Sequence, residues 1–150
     1  KTEIESIVSK TFTSYPTKIG ETLSKDKLNT LISILEQRGW LNLYDKNVII
    51  KTTGGIRIRE QGINLAVIMS IVSSVKQKGI EGNLAFIADV GLTGELKKVP
   101  SLEGRVKELA RMGFRRVYVA KDSFAKGTVF KGIEVIALKT LNDVIFHVYR

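Results

Sequence analysis

Apolar positions recur along this chain with two periods, one of a strand and one of a helix, and the two alternate from end to end. Ile4-Glu5-Ser6-Ile7-Val8 reads as a short strand. Residues 10 to 22 carry Lys10, Pro16, Lys18 and Gly20 and read as a polar loop, because Pro and Gly interrupt regular structure. Leu28, Leu31, Ile32 and Leu35 then recur at helical spacing, which predicts a helix from an N-cap at Ser24 to about Arg38, stopped by Gly39. The β-branched run from Asn47 to Thr52 suits a strand that Gly54-Gly55 ends.

The second half repeats the alternation. From Ile63 to about Lys78 runs the most apolar helix of the chain. Ala66, Val67, Ile71 and Val75 share one side while Ile68, Met69 and Val72 occupy the others, so this helix is expected between layers. Leu84 to Val90 reads as a strand, Gly91-Leu92-Thr93-Gly94 as a turn and Glu95 to Val99 as a second strand. Ser101 is the expected cap of a helix that runs to about Met112 and closes at Gly113. Its apolar face is Leu102, Val106, Leu109 and Ala110; Lys107 and Arg111 stand opposite, with Arg105 at the border. Arg116–Ala120 and Ile133–Leu138 read as strands, and Leu141–Val148 as a closing amphipathic helix. The pattern predicts one compact α/β domain over residues 1–150, a sandwich whose sheet is covered by helices.

Composition narrows the chemistry. A chain of 150 residues is long enough to bury a real core, and its 43% hydrophobic and 26% charged shares are those of a globular domain. There is no cysteine and a single histidine, His147, which excludes disulfides, thiolate metal sites and zinc built from imidazoles. No apolar run approaches the roughly 20 residues of a membrane span, and the first residues lack an apolar signal core. The first residues, Lys1-Thr2-Glu3-Ile4, read as the start of a piece cut from a longer protein. The net charge of +9 is unevenly distributed. Residues 97–131 hold 10 Lys/Arg against 3 Asp/Glu, whereas residues 1–96 hold 12 against 10. Concentrated positive charge attracts polyanions and displaces their counterions; a solvated basic face is the alternative.

Several stretches resemble the RadA (Sms) family of bacterial DNA repair proteins. They are Val90-Gly91-Leu92-Thr93-Gly94-Glu95-Leu96, then Val99-Pro100-Ser101, Arg105 and Gly113-Phe114-Arg115-Arg116. Gly54-Gly55-Ile56-Arg57-Ile58, Glu3 to Val8, Leu31 to Arg38 and Ile133 to Leu141 extend the likeness over nearly the whole chain, in order and in spacing. The resemblance implies the family's C-terminal domain, a Lon-peptidase-like (ribosomal-protein-domain-2-like) α/β sandwich. It also implies a zinc finger and a RecA-like ATPase upstream, which would hold the zinc, ATP and magnesium. No G-x-x-x-x-G-K-[ST] phosphate loop is present, and no cofactor is expected in this domain. The resemblance further implies a homo-hexamer, branch migration in homologous recombination, a cytoplasmic and nucleoid-associated setting, and DNA and a recombinase as partners.

Lon peptidases use a Ser-Lys dyad, in which the amine takes the proton of the attacking hydroxyl. The resemblance puts Gly62 at the serine position and Glu103 at the lysine position, and no serine lies between Ser33 and Ser70. This implies a domain without peptidase chemistry. Ser101 is the remaining candidate nucleophile, with Lys98 or Lys107 as base, but a helix cap is the expected role. His147 is expected to pack or to lie on the surface.

The DNA-contacting candidates are Arg105, Lys107, Arg111, Arg115 and Arg116, supported by Lys97 and Lys98. Arginine forks two donors onto a phosphate, so binding to duplex, branched or single-stranded backbone would be sequence-independent and salt-dependent. Phe114 and Tyr118 are expected to pack inward rather than stack on bases. Arg105 alternatively bridges to Glu95, Asp89 or a neighbouring subunit. Three functions follow in order: a non-catalytic module with a basic DNA surface, a purely structural oligomerisation domain, and a Ser-Lys peptidase.

Overall fold

Strand β1 (Glu3–Lys10) is followed by β2 (Lys18–Gly20), helix α1 (Lys25–Arg38) and β3 (Lys46–Thr53). A 3-10 turn at Gln61–Ile63 leads into α2 (Asn64–Lys76). Then come β4 (Leu84–Ile87), β5 (Asp89–Val90), β6 (Leu96–Lys97), α3 (Leu102–Arg111), β7 (Arg116–Ala120), β8 (Glu134–Leu138) and α4 (Leu141–Tyr149). The structure, a computed structural model, describes residues 3–10, 18–20, 25–38, 46–53, 61–81 and 83–149. The expected cap at Ser24, the stop at Gly39 and the Gly54-Gly55 break lie outside the described residues.

A parallel sheet in the order β4-β7-β8 organises the C-terminal part, and period-2 alternation sorts its side chains. Ala85, Val117 and Val119 face α3, packing with its Leu102 and Val106. Tyr118 and Ala120, with Phe86, Ile136 and Leu138, face the opposite way onto α2, α1 and α4. Helix α2 is apolar most of the way round because both sides are covered: β1 lies against it, and β4 and α4 pack on it elsewhere. Leu65, Val67, Ile68, Met69 and Ile71 are consequently buried. A second sheet, in the order β1-β3-β2, pairs β1 with β3 antiparallel and β2 with β3 parallel. The result is a small α/β domain with a mostly parallel main sheet and, among the described residues, four α-helices.

Three expectations need correction. Residues 18–20 form strand β2 rather than loop, because pairing with Val48–Ile50 of β3 supplies partners that local sequence cannot reveal. The strand expected over Leu84–Val90 is broken at Ala88. There the amide donates to the Gly62 carbonyl (3.1 Å) and the carbonyl accepts from Leu65 (3.1 Å), so the backbone leaves the sheet to hold the start of α2. Ser101 is not a side-chain cap: its backbone is left-handed (φ 58°) and its hydroxyl makes no capping bond. That conformation lies outside the β-region geometry in which an N-cap oxygen reaches the second or third amide.

Other helix ends follow their local signals. Thr140 and Asp143 form a reciprocal capping box at α4: Thr140 N–H donates to Asp143 Oδ2 (3.1 Å) and Asp143 N–H to Thr140 Oγ1 (3.2 Å). Helix α3 stops where Gly113 turns left-handed (φ 94°) and Phe114 N–H returns to the Leu109 carbonyl (3.0 Å). Parallel strands β7 and β8 are joined without a helix. Residues 121–133 cross over instead, with Phe124 and Phe130 edge-to-face (centroids 4.9 Å apart) and packed on the α3 side of the sheet.

Candidate nucleic-acid interface

The seven basic candidates do not form a single cluster: α3 carries three of them on one face of the main sheet, whereas the Arg116 side chain lies on the opposite face with Tyr118. Lys97 pairs in register with Asp89 beyond the carboxyl end of β4, and Lys98 follows it. Arg115 precedes and Arg116 begins β7 at the opposite end, where both amides donate to the Asn83 carbonyl (2.9 and 3.3 Å). Helix α3, about 15 Å long, connects the ends and carries Arg105, Lys107 and Arg111.

Their local partners differ. Lys107 Nζ lies 3.2 Å from Glu103, and Arg111 Nη2 lies 2.6 Å from Glu108. Both pairs lie exposed on one helix, where such contacts contribute only about 0.3–0.5 kcal/mol and yield readily to a phosphate. Arg116 is held more firmly. Its Nε donates to Glu134 (2.9 Å), and hydrogen bonding to Tyr118, then to Glu134, raises the guanidinium above its already high ordinary pKa. The Tyr118 hydroxyl also lies 2.8 Å from His147 Nδ1, and the ring stacks on Phe86 at 5.2 Å. Arg116 thus belongs to a polar chain from Glu134 to His147, and His147 packs there, half-buried, against the Tyr118 ring. Phe114 and Tyr118 are buried, as their inward packing required. Lys97, Lys98 and Arg115 are exposed and form no ion pair with the described residues.

Arg105 points elsewhere. A Cβ added to Gly62 would sit 3.1 Å from Arg105 Nη1 and 3.1 Å from Val99 Cγ1. The guanidinium therefore occupies the space beside Gly62, at the start of α2. Gly62 is buried in the 3-10 turn, its carbonyl held by Ala88. Glu103, the other position singled out by the expected peptidase resemblance, is exposed in the first turn of α3 and engaged by Lys107. The two carboxylates considered as partners for Arg105 have other bonds. Asp89 Oδ1 accepts from Asn64 Nδ2 (2.6 Å) and from Val90 N–H (2.7 Å). Glu95 accepts a short hydrogen bond from Thr93, which, ahead of the field of Lys97, lowers its pKa.

Sequence reasoning missed Asn64, 7% exposed, whose Oδ1 has no partner among the described residues. The signal was present: a lone amide opening an otherwise apolar helix. It missed also the loop lysines Lys121, Lys126 and Lys131, which were counted in the basic segment but not placed on a surface. Among the described residues no group of His, Cys, Asp and Glu is placed to hold a metal. No helix among them is long and apolar enough to cross a membrane.

Comparison with known proteins decides the family. DNA repair protein RadA of Bacillus subtilis (strain 168) is 33% identical over 143 residues, 95% of this chain and 31% of that protein. DNA repair protein RadA of Streptococcus pneumoniae (strain ATCC BAA-255 / R6) is 32% identical over 147 residues, 98% of this chain and 35% of that protein. The chain belongs to the RadA family. The Listeria monocytogenes RadA is 29% identical over 143 residues, 95% of the chain. The chain spans about a third of the length of these curated RadA relatives. No family model matches it. The matches run over 95–98% of the chain.

Proposed function

We propose that this chain is a non-catalytic module of a RadA-type DNA repair protein, supplying a basic surface to DNA and a scaffold to a hexameric ring. The observation that carries this reading is the combination of RadA homology over 95% of the chain with exposed Lys97, Lys98 and Arg115, which form no ion pair among the described residues. A Lon-peptidase-like lineage accounts for the buried helix α2 entered through Gly62. Gly62 offers no hydroxyl there, and Arg105 fills the adjoining space. On this reading ATP, magnesium and zinc act in parts of RadA that this chain does not span. A cytoplasmic, nucleoid-associated setting, a role in branch migration and contact with a recombinase follow from the same reading.

A structural oligomerisation role is the second reading, favoured by the exposure of Phe146 (71%) on α4 and Leu92 (70%) at the β5-β6 turn. A salt titration of DNA binding separates the two. The DNA-binding reading expects measurable affinity at low salt for DNAs of unrelated sequence. It also expects log K to fall linearly with log salt, by about 0.9 for each phosphate neutralised. Absence of binding at low salt, with self-association seen by light scattering, would leave the scaffold role alone.

A further inference from the structure

The loop joining β7 to β8 presents basic and apolar side chains together on an exposed surface. Residues 121–133 contain Lys121, Lys126 and Lys131 against a single carboxylate, Asp122 at the entrance. Every residue from Ala125 to Val129 is exposed, and Val129, at 87%, is the most exposed large apolar side chain described. A β-branched residue so placed gains nothing from folding.

The loop is nevertheless built to hold its shape. Phe124 and Phe130 meet edge-to-face beneath it and pack on the core, clamping both stems. Thr128 closes a turn at the tip, its N–H (3.1 Å) and its hydroxyl (2.6 Å) both donating to the Ala125 carbonyl. Ser123 repeats the device at the entrance, bonding to the Ala120 carbonyl through N–H (3.2 Å) and hydroxyl (2.5 Å). Phe130 bridges to Ile133 at the exit. An open depression of about 560 Å³ lies beside that exit, between Ala110 and Gly113 of the α3 end, Arg115, Gly132 and Glu134. The loop therefore shares one end of the sheet with Arg115.

We infer that this loop is a DNA wedge: Lys126 and Lys131 hold the phosphate backbone while Val129 enters an opened base step. The inference rests on the DNA-binding reading and adds to it a site and a substrate class, DNA with unstacked bases. Proteins that open or kink DNA insert an apolar side chain between bases from a basic surface, and unstacking costs a few kcal/mol per step. An already unpaired step removes that cost, so the wedge prefers it to an intact duplex. Pre-ordering by Phe124, Phe130 and Thr128 lowers the entropy lost on binding.

The test compares two dye-labelled DNAs of equal length by fluorescence anisotropy, one an intact duplex and one with a central unpaired run. The unmodified chain should bind the opened DNA about tenfold more tightly, which corresponds to about 1.4 kcal/mol. Val129→Ser should bring that ratio close to one without altering the salt slope. Lys126→Ala with Lys131→Ala should weaken binding to both DNAs and lower the slope by about 0.9 per lysine. All three positions are exposed, so thermal melting should be unchanged. If DNA binding persists but ignores these substitutions, the wedge is wrong while the basic face stands. If neither DNA binds at low salt, both readings fall. If Val129→Ser instead lowers the mass seen by light scattering and leaves the ratio intact, the tip contacts protein and the wedge is overturned.

Discussion

Gly62 and Arg105 show how one missing side chain redirects another. The glycine leaves room at the start of α2, and the Arg105 guanidinium closes to the 3.1 Å that a Cβ would allow. Gly62→Ala should therefore strain the site by about 1–3 kcal/mol through overpacking, against a gain of about 0.4–1 kcal/mol from stiffening the unfolded chain. The expected net is a destabilisation of about 1 kcal/mol, read from the urea midpoint. Val99 Cγ1 is equally close and less able to move, so relief by Arg105 is partial. In an Arg105→Ala background the same substitution should cost less, with a coupling of at least about 0.5 kcal/mol. Additive losses would place the guanidinium away from Gly62.

At the level of elements, the β5-β6 hairpin depends on a carboxylate. Gly91 N–H donates to the Glu95 carbonyl (2.8 Å), closing the hairpin backbone. A Cβ at Gly91 would fall on the Glu95 carboxylate, so a side chain there would displace that group from its place beside Thr93. The Thr93 hydroxyl holds the Glu95 pKa below its ordinary value, followed by backbone amides and Lys97. A depressed carboxylate contributes stability that is full above its unfolded pKa and is lost as pH falls through the folded one. Glu95→Gln should therefore flatten the stability change below about pH 4.3, while the unmodified chain loses stability there. Equal acid profiles for the two by urea unfolding would remove Glu95 from this role. The same hairpin shows what a local pattern conveys. Gly91-Leu92-Thr93-Gly94 was legible as a turn from its residues, yet its docking was not: Leu96 N–H donates to Lys139 (2.9 Å) and Leu141 N–H to Gly94 (2.8 Å) across a long stretch of chain. Ser101 and Thr140 make the same point about caps. Both precede helices, but only Thr140 has an acid three residues on with which to share hydrogen bonds.

Over the whole molecule, charge and partnering diverge. The basic segment was visible as a count, but its cations have unequal freedom, because α3 and β8 bring carboxylates to Lys107, Arg111 and Arg116. Combined substitution of Lys97, Lys98 and Arg115 by Ala should lower the salt slope of DNA binding by up to about 2.7. Arg116→Ala should act mainly on stability, by freeing Glu134 and the Tyr118–His147 pair. A larger slope change from Arg116 alone, measured by anisotropy over a salt series, would reverse that ranking.

The alternation of strands and helices, the buried character of α2, the inward packing of Phe114 and Tyr118, and the absence of a hydroxyl at position 62 were all determined by sequence. Each depends on residue identity and on periods of two or 3.6 that local geometry enforces. Tertiary structure alone decided the rest: strand β2, the break at Ala88, the turn of Arg105 toward Gly62 and the clamped loop under Val129. Those features depend on partners brought close by folding from distant parts of the chain, and no local pattern encodes which backbone or side chain will be waiting there.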